Sequence, residues 1–252
     1  MQLMFLGTGS AFSTERFQSN VLLETNGKRL LIDAGGTIHQ ALKSANVPLH
    51  SLDGVYVSHL HADHWGGSEY LALSSYYSSL FLVEGARRKL KLFAHPTVRA
   101  GAWNKLESAV LADKKAELSD FFDVQDHEGE SFQWEGVTFE MIQALHSIDN
   151  GQPLPCFGLH WQTTDSKRYI WFSADATLDE KQILFEKADV IFHDCETSPF
   201  TTTVHATYAE LLQLPEVIRK KITLFHYNDG TKADAVADGF AGWAEQGLVI
   251  EL

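Results

Sequence analysis

Short apolar runs alternate with polar or glycine-rich breaks through the first quarter of the chain, and residues 2–6, 20–24, 29–32 and 54–57 each read as a strand. The second and third of these flank Asn26-Gly27, a dipeptide suited to a type I′ turn, so the chain is predicted to open as an antiparallel meander. Helical periodicity follows at 37–45, at 66–79 and from 98 to 104 onward. The alternation then recurs in kind: strands at 131–134, 137–144, 157–162, 169–172 and 190–192, helices at 178–187, 208–212, 215–221 and 233–246, and a last strand at 248–251. Strand-rich stretches that end in helices, twice over, predict an α/β protein with two stacked sheets and helices outside. The pattern alone also fits other α/β layouts.

Composition narrows this picture. The 252 residues suit one sizeable domain, 1–252, as well as two small ones, and no break in composition favours the second. With 44% hydrophobic and 21% charged residues, a disordered or low-complexity chain is excluded. The formal net charge of −13 opposes any long polyanion, whose binding depends on many lysine and arginine contacts to phosphates. A small anion held by metal ions remains compatible with it. No apolar run approaches the roughly 20 residues that span a bilayer, and the opening residues read as a strand and not as a secretory signal. Two cysteines, Cys156 and Cys195, make no disulfide framework and fit free thiols in a reducing cytoplasm.

Chemistry concentrates after the strand at 54–57, in Ser58-His59-Leu60-His61-Ala62-Asp63-His64-Trp65-Gly66-Gly67. A lone histidine on a loop is ordinary surface composition, but three imidazoles and a carboxylate within residues 59–64 do not fit that account. One metal ion takes about four nitrogen or oxygen ligands. Residues i and i+2 of an extended segment point the same way, so His59 and His61 can face one ion, and Asp63 and His64, past the turn, a second.

The run His59-x-His61-x-Asp63-His64 resembles the signature of the metallo-β-lactamase superfamily, and the resemblance continues along the chain. It takes in Gly7-Thr8-Gly9-Ser10, Leu31-Ile32-Asp33-Ala34-Gly35, His146, Ser173-Ala174-Asp175-Ala176-Thr177 and Leu224-Phe225-His226. It implies an αββα sandwich with metals at one edge: His59, His61 and His146 on one ion, Asp63, His64 and His226 on the other, and Asp175 bridging them. The implied cofactors are two Zn2+, with Mn2+ or another divalent ion as the alternative. Asp33 is read as orienting a histidine or the loop backbone, and Asp53 as capping a turn.

Asp175 stands where thiolate-using β-lactamases carry a cysteine, which points to phosphodiester hydrolysis. Residues 191–197 and 205–211 resemble two loops of the tRNA 3′-processing endonucleases (RNase Z) and their smaller relatives. That resemblance implies that His205 contacts the scissile phosphate and Asp194 orients it. The basic arm that grips tRNA has no counterpart here. Over nearly its full length the chain looks more like the compact anti-Pycsar phosphodiesterases, through residues 5–12, Gln18-Ser19-Asn20, residues 67–72 and Phe192-His193-Asp194-Cys195.

The implied activity is hydrolysis of 3′,5′-cyclic nucleotides, cyclic pyrimidine messengers such as cyclic CMP and cyclic UMP, to 5′-monophosphates. The attacking water would be held near Asp63, and the enzyme would be a cytoplasmic homodimer with neither a membrane nor a long nucleic acid as partner. Tyr70, Tyr76, Tyr77 and Phe200 are candidates to hold the base, with core packing as the alternative. The rival functions are tRNA 3′ maturation and another small-molecule hydrolysis on the same dinuclear site. His39, His50, His95, His127, His160 and His193 fall outside any ligand pattern.

Overall fold

A computed structural model describes residues 1–81, 89–110, 116–126, 129–178, 182–198 and 203–252. The first sheet collects β1 (Gln2–Gly7), β2 (Asn20–Thr25), β3 (Lys28–Ile32), β4 (Gly54–Val57), β5 (Leu90–Ala94), β6 (Phe122–Val124) and β16 (Val249–Glu251), in the order β16-β1-β2-β3-β4-β5-β6. The second collects β7 (Ser131–Trp134), β8 (Val137–Gln143), β11 (Phe157–Gln162), β12 (Tyr169–Phe172), β13 (Val190–Asp194), β14 (Ile222–Phe225) and β15 (Gly242–Trp243), in the order β15-β14-β13-β12-β11-β8-β7. A separate ribbon pairs β9 (Ile148–Asp149) with β10 (Gln152–Pro153). The hairpin at Asn26-Gly27 is present, with both residues at positive φ (52° and 71°) and Val21 opposite Ile32.

The two sheets stack face to face, and their aromatic side chains join across the gap. Phe5 of β1 meets Phe192 of β13 with ring centres 5.6 Å apart, and Tyr56 of β4 meets Phe132 of β7 at 5.5 Å. Helices α1 (Ile38–Ser44), α2 (Ala62–Trp65), α3 (Ser68–Phe81), α4 (Pro96–Val110) and α5 (Leu118–Phe121) accompany the first sheet; Ile38, Leu71, Val98 and Phe121 are buried in the main core. Helices α6 (Gln182–Lys187), α7 (Tyr208–Leu211) and α8 (Glu216–Arg219) cover the second sheet, where Phe185, Leu211 and Ile218 pack with Ile191, Ile222 and Leu224 in a second cluster. This is the expected αββα sandwich. No helix among the described residues is long and apolar enough to cross a membrane.

Three expectations change. The helix predicted at 233–246 does not form: its first turn closes at Asp238 N to Asp234 O (3.0 Å), and then Gly239 and Gly242 take φ of 87° and 142°, which a helix cannot hold. The segment instead lays β15 beside β14. Strands β5, β6, β9, β10 and β15 are absent from the sequence pattern: β6, β9, β10 and β15 are runs of two or three residues drawn into pairing by their neighbours and not by their own periodicity, while β5 is a five-residue run with Lys91 within it that the pattern did not single out. The helix expected over 178–187 is described only from Gln182, since residues 179–181 lie outside the described set.

Strands β3, β4 and β5 run parallel, as do β12, β13 and β14, so their C-terminal ends gather on one rim. Residues 33–35 lie there against the metal-motif loop: Ala34 N donates to His64 O at 2.7 Å, and Gly67 N to Ala34 O at 2.8 Å. A Cβ on Gly35 would stand 2.1 Å from the Asp63 carbonyl oxygen, a backbone atom that cannot step aside. Gly35→Ala should therefore destabilise the fold by about 1–3 kcal/mol in urea denaturation. Gly36→Ala, whose nearest neighbour would be the Gln18 side chain at 3.5 Å, should be close to neutral.

Candidate metal centre

The site residues sit at strand ends, where the backbone turns sharply. Asp33 follows β3, Ala174 precedes Asp175 beyond β12, and His226 follows β14; these three non-glycine residues take φ of 62°, 53° and 59°. Each such turn costs roughly 1–2 kcal/mol, and left-handed residues gathered on one rim are what a site held against backbone preference looks like. His61 is still extended (φ −62°, ψ 156°) as the residue before α2, so it continues the line of His59. Asp63 and His64 lie within α2 and face elsewhere.

The structure brings all seven predicted ligands together. His59, His61, His146 and Asp175 form one group, and Asp63, His64, Asp175 and His226 another; within each group the donor atoms all lie within 4.8 Å of one another. Asp175 belongs to both. Its Oδ2 is 3.1 Å from His64 Nε2, 3.5 Å from His226 Nε2, and 3.7 Å from both His59 Nε2 and His146 Nε2. Apart from His61, every member is buried.

Three of the imidazoles are tied down at their outward edges. His64 Nδ1 donates to Asp33 Oδ2 at 2.8 Å. Ser58 Oγ donates to the same oxygen at 2.7 Å, which leaves Oγ to accept from His59 Nδ1 at 3.0 Å. His146 Nδ1 donates to the Val204 carbonyl at 2.7 Å. With Nδ1 carrying the proton, each ring turns its Nε2 lone pair inward. His59 Nε2, His64 Nε2 and Asp175 Oδ1 have no hydrogen-bond partner, although His64 Nε2 and Asp175 Oδ2 are close enough to pair as charges. Buried, unpartnered lone pairs of imidazole and carboxylate converging on two points fit divalent cations.

Electrostatics agree. Burial disfavours the charged form of every member. At His64 the charges of Asp175, Asp63 and Asp33 overrule it and push the imidazole well up. Burial and the charge of His64 hold His59 well down, and burial and His146 lower His61. Despite burial, the charges of His226 and His64 keep the Asp175 carboxyl well below its usual range, and His64 and His226 do the same for Asp63. His59, His61 and His146 thus tend toward neutral imidazole and Asp63 and Asp175 toward ionised carboxylate, the forms a cation needs, whereas His64 holds a proton that a cation would have to displace.

His205 lies beside this centre. Its ring is 4.8 Å from that of His146 and 4.9 Å from that of His226. Nδ1 is 2.8 Å from Asp194 Oδ2, and together with Asp175, Asp194 and His226 it forms a third group of possible ligands. Holding Asp194 through Nδ1 leaves Nε2 as the free edge. Burial lowers its pKa, but the Asp194 hydrogen bond and the Asp175 charge outweigh it and raise the value to about 9.

Several supporting groups went unread in the sequence. His193 Nδ1 donates to the Asp194 carbonyl at 2.7 Å and lies 3.1 Å from its Oδ1, on the far side of the carboxylate from His205. Lys105 of α4 donates to the Leu60 carbonyl within the metal motif. Ser58 is named by its place beside His59, a signal available in the sequence; Val204 acts through its carbonyl, which no sequence displays. Asp33 orients His64 as expected, but Asp53 joins two segments rather than capping a turn: its Oδ2 accepts from Arg29 N of β3 at 2.9 Å and its Oδ1 lies 3.1 Å from Lys28 Nζ. Tyr70 packs on His39, and Tyr76 on Tyr77 and Phe121, as helix-face aromatics do. Phe200 and His127 lie outside the described residues.

The sandwich and the His/Asp centre at its rim define a metal hydrolase of the metallo-β-lactamase fold. The metallo-β-lactamase fold protein YhfI from Bacillus subtilis superposes with a TM-score of 0.74 at 19% identity, covering 99% of this chain and 98% of its own. Human tRNase Z, short form, gives 0.68 at 20% identity, covering 100% and 99%. The family model for the anti-Pycsar protein Apyc1 matches residues 1–250, and the chain belongs to that family. The relative from Paenibacillus xerothermodurans is 32% identical over 91% of this chain and 88% of its own length. The relative from Bacillus phage 010DV004 is 32% identical over 98% and 96%. Both carry the name anti-Pycsar protein Apyc1.

The His205–Asp194 contact generates a measurable expectation. In metal-free protein, the His205 ring protons followed by NMR should titrate near pH 9. Asp194→Asn should lower this by about 1–3 units, and bound cations should lower it too. Because the folded value lies above the ordinary 6.5, the contact stabilises the metal-free fold fully below that pH, and the contribution is lost as pH rises through about 9.

Proposed function

We propose that this chain, as one hydrolase domain over residues 1–252, opens 3′,5′-cyclic nucleotides to nucleoside 5′-monophosphates, acting on cyclic pyrimidine messengers such as cyclic CMP and cyclic UMP. It would thereby counteract Pycsar signalling in the cytoplasm of a bacterial or infected cell, as a homodimer. The observation that carries the reading is the single Asp175 oxygen set 3.1–3.7 Å from four imidazole nitrogens that belong to two ligand sets. His59, His61, His146 and Asp175 would hold one ion, and Asp63, His64, His226 and Asp175 the other. Two divalent ions held there, zinc on the chemistry of this nitrogen and oxygen set, would supply positive charge against the phosphate oxygens and would make water nucleophilic at neutral pH.

The chain's own groups do the rest. Asp63, kept ionised by His64 and His226, accepts a hydrogen bond from the attacking water and fixes its direction. Having released one proton to solvent, the water attacks as hydroxide: its oxygen bonds to phosphorus, the bond from phosphorus to the 3′ oxygen breaks, and that oxygen takes its proton from His205 Nε2, which solvent then reprotonates. Asp194 holds the His205 ring from behind and stabilises its charged form. Asp194 is itself buried with His193 at its back, so the ring has one orientation to offer. Processing of tRNA is the rival reading, and the net charge of −13 speaks against it.

Reconstituted protein should hold two equivalents of metal by elemental analysis. Asp175→Ala should lose both ions more readily than His226→Ala, because only Asp175 is shared; one equivalent in the unmutated protein would sink the dinuclear reading. Cyclic CMP should yield 5′-CMP on chromatography, with precursor tRNA left intact. His205→Ala should keep its metals while turnover drops about a hundredfold or more, and Asp194→Asn should fall by less. Because the two residues act as one unit, their double variant should be little worse than His205→Ala.

A further inference from the structure

A slot of about 170 Å³ opens beside the first ligand group, bounded by residues 59–61, the first turn of α4 and the ribbon β9–β10. Its walls away from the histidines come chiefly from Leu60, Val98, Leu154 and Pro155, with Ser147 among them. An apolar cavity of about 150 Å³ accepts one benzene ring, so the slot has the size of a single six-membered ring.

The ribbon is built to present one face to it. Ser147 and Leu154 are opposed, Leu154 N donating to Ser147 O at 2.8 Å, and both line the slot. Alternation places the next pair, Ile148 and Pro153, on the other face. Asn150 and Gly151 close the ribbon at φ of 48° and 75°, a type I′ turn. Its base is tied to the metal motif at both ends: His146 lies at one, and Phe157 N donates to Ser58 O at 3.0 Å at the other. Leu154 nevertheless remains 40% exposed, an apolar side chain left in water at the mouth of a catalytic cleft. The Ser147 hydroxyl has no hydrogen-bond partner among the described residues. Apolar walls with one uncommitted polar group are how pockets seat a flat ring and then read its edge.

We infer that this slot is the subsite for the substrate's base: a pyrimidine ring lies between Leu60, Val98 and Leu154, with its edge toward the Ser147 hydroxyl. The inference rests on the phosphodiesterase reading for the identity of the ring. Because the slot shares its histidine wall with the metal centre, a base seated there leaves the cyclic phosphate at the ligands. Base selectivity then resides in the ribbon and the first turn of α4, apart from the groups that do the chemistry.

The test compares the unmutated protein, Leu154→Ser and Ile148→Ser on cyclic CMP and on 1-O-methylribose 3′,5′-cyclic phosphate, which has no base. Leu154→Ser should raise KM for cyclic CMP about tenfold with kcat within about twofold, the scale of lost apolar contact in a pocket. It should leave the base-free substrate unchanged, and Ile148→Ser should change neither. Equal effects on both substrates, no effect of Leu154→Ser, or an equal effect of Ile148→Ser would overturn the subsite.

If the unmutated protein turns over neither substrate, the phosphodiesterase reading fails, and the slot is judged by methyl NMR. Adding cyclic CMP should then shift the Leu60, Val98 and Leu154 methyls and leave those of Val217 and Val249 in place. Unmoved slot methyls would overturn the subsite on their own.

Discussion

Four carboxylates, those of Asp33, Asp63, Asp175 and Asp194, lie buried among imidazoles at one rim of the sandwich, and keeping so much charge from water constrains everything around it. Each buried ion costs several kcal/mol unless it is paired and hydrogen-bonded. Asp33 is satisfied by Ser58 and His64. Asp175 is not, for one oxygen lacks any hydrogen bond while the other faces four ring nitrogens. Without a cation the balance is struck by a proton drawn to His64; with cations the same lone pairs become ligands. Both cysteines are buried with thiols pushed well up, so they stay neutral and leave the donor set to nitrogen and oxygen.

This constraint explains why the site needs both sheets. The first sheet alone supplies His59, His61, Asp63 and His64, a half-site whose imidazoles would converge on nothing. The second supplies Asp175, Asp194 and His226 from the ends of three adjacent parallel strands. Period-2 alternation sorts β13 cleanly: Phe192 turns inward to Phe5, His193 turns outward to Phe185, and Asp194 turns inward again beneath His205. The face-to-face aromatic packing that joins the sheets is therefore also what holds the two halves of the centre in register.

What the sequence made legible follows from this geometry. His59 to His64 could be read because the ligands are neighbours in the chain and the spacing itself carries the chemistry. His146, Asp175 and His226 are single residues at strand ends, and only the family resemblance singled them out from other histidines and aspartates. His193 was passed over because its partner is the adjacent backbone carbonyl, a contact set by local folding and invisible in spacing. Asn150-Gly151 carries the same turn signal as Asn26-Gly27. Its flanks, Ile148-Asp149 and Gln152-Pro153, lack the alternating apolar residues that would have made a hairpin of it. The helix expected over 233–246 failed for the opposite reason: its apolar periodicity is real, but Gly239 and Gly242 and the open edge of β14 together decide for strand.

The acidic surface bears on which ligands reach this centre. A net charge of −13 repels every anion, but the repulsion grows with the ligand's own charge. Under the proposed function a cyclic mononucleotide brings a single negative charge, which the centre would offset locally through bound cations and through His205. A long nucleic acid brings one charge per residue, and most of those would lie over a surface with nothing to offset them. Under the proposed function the charge of the whole chain thus sorts ligands by size before the slot sorts them by shape. The two filters are independent, because the first depends on residues spread over the surface and weakens with salt, while the second depends on apolar contacts at Leu60, Val98 and Leu154 that salt does not screen.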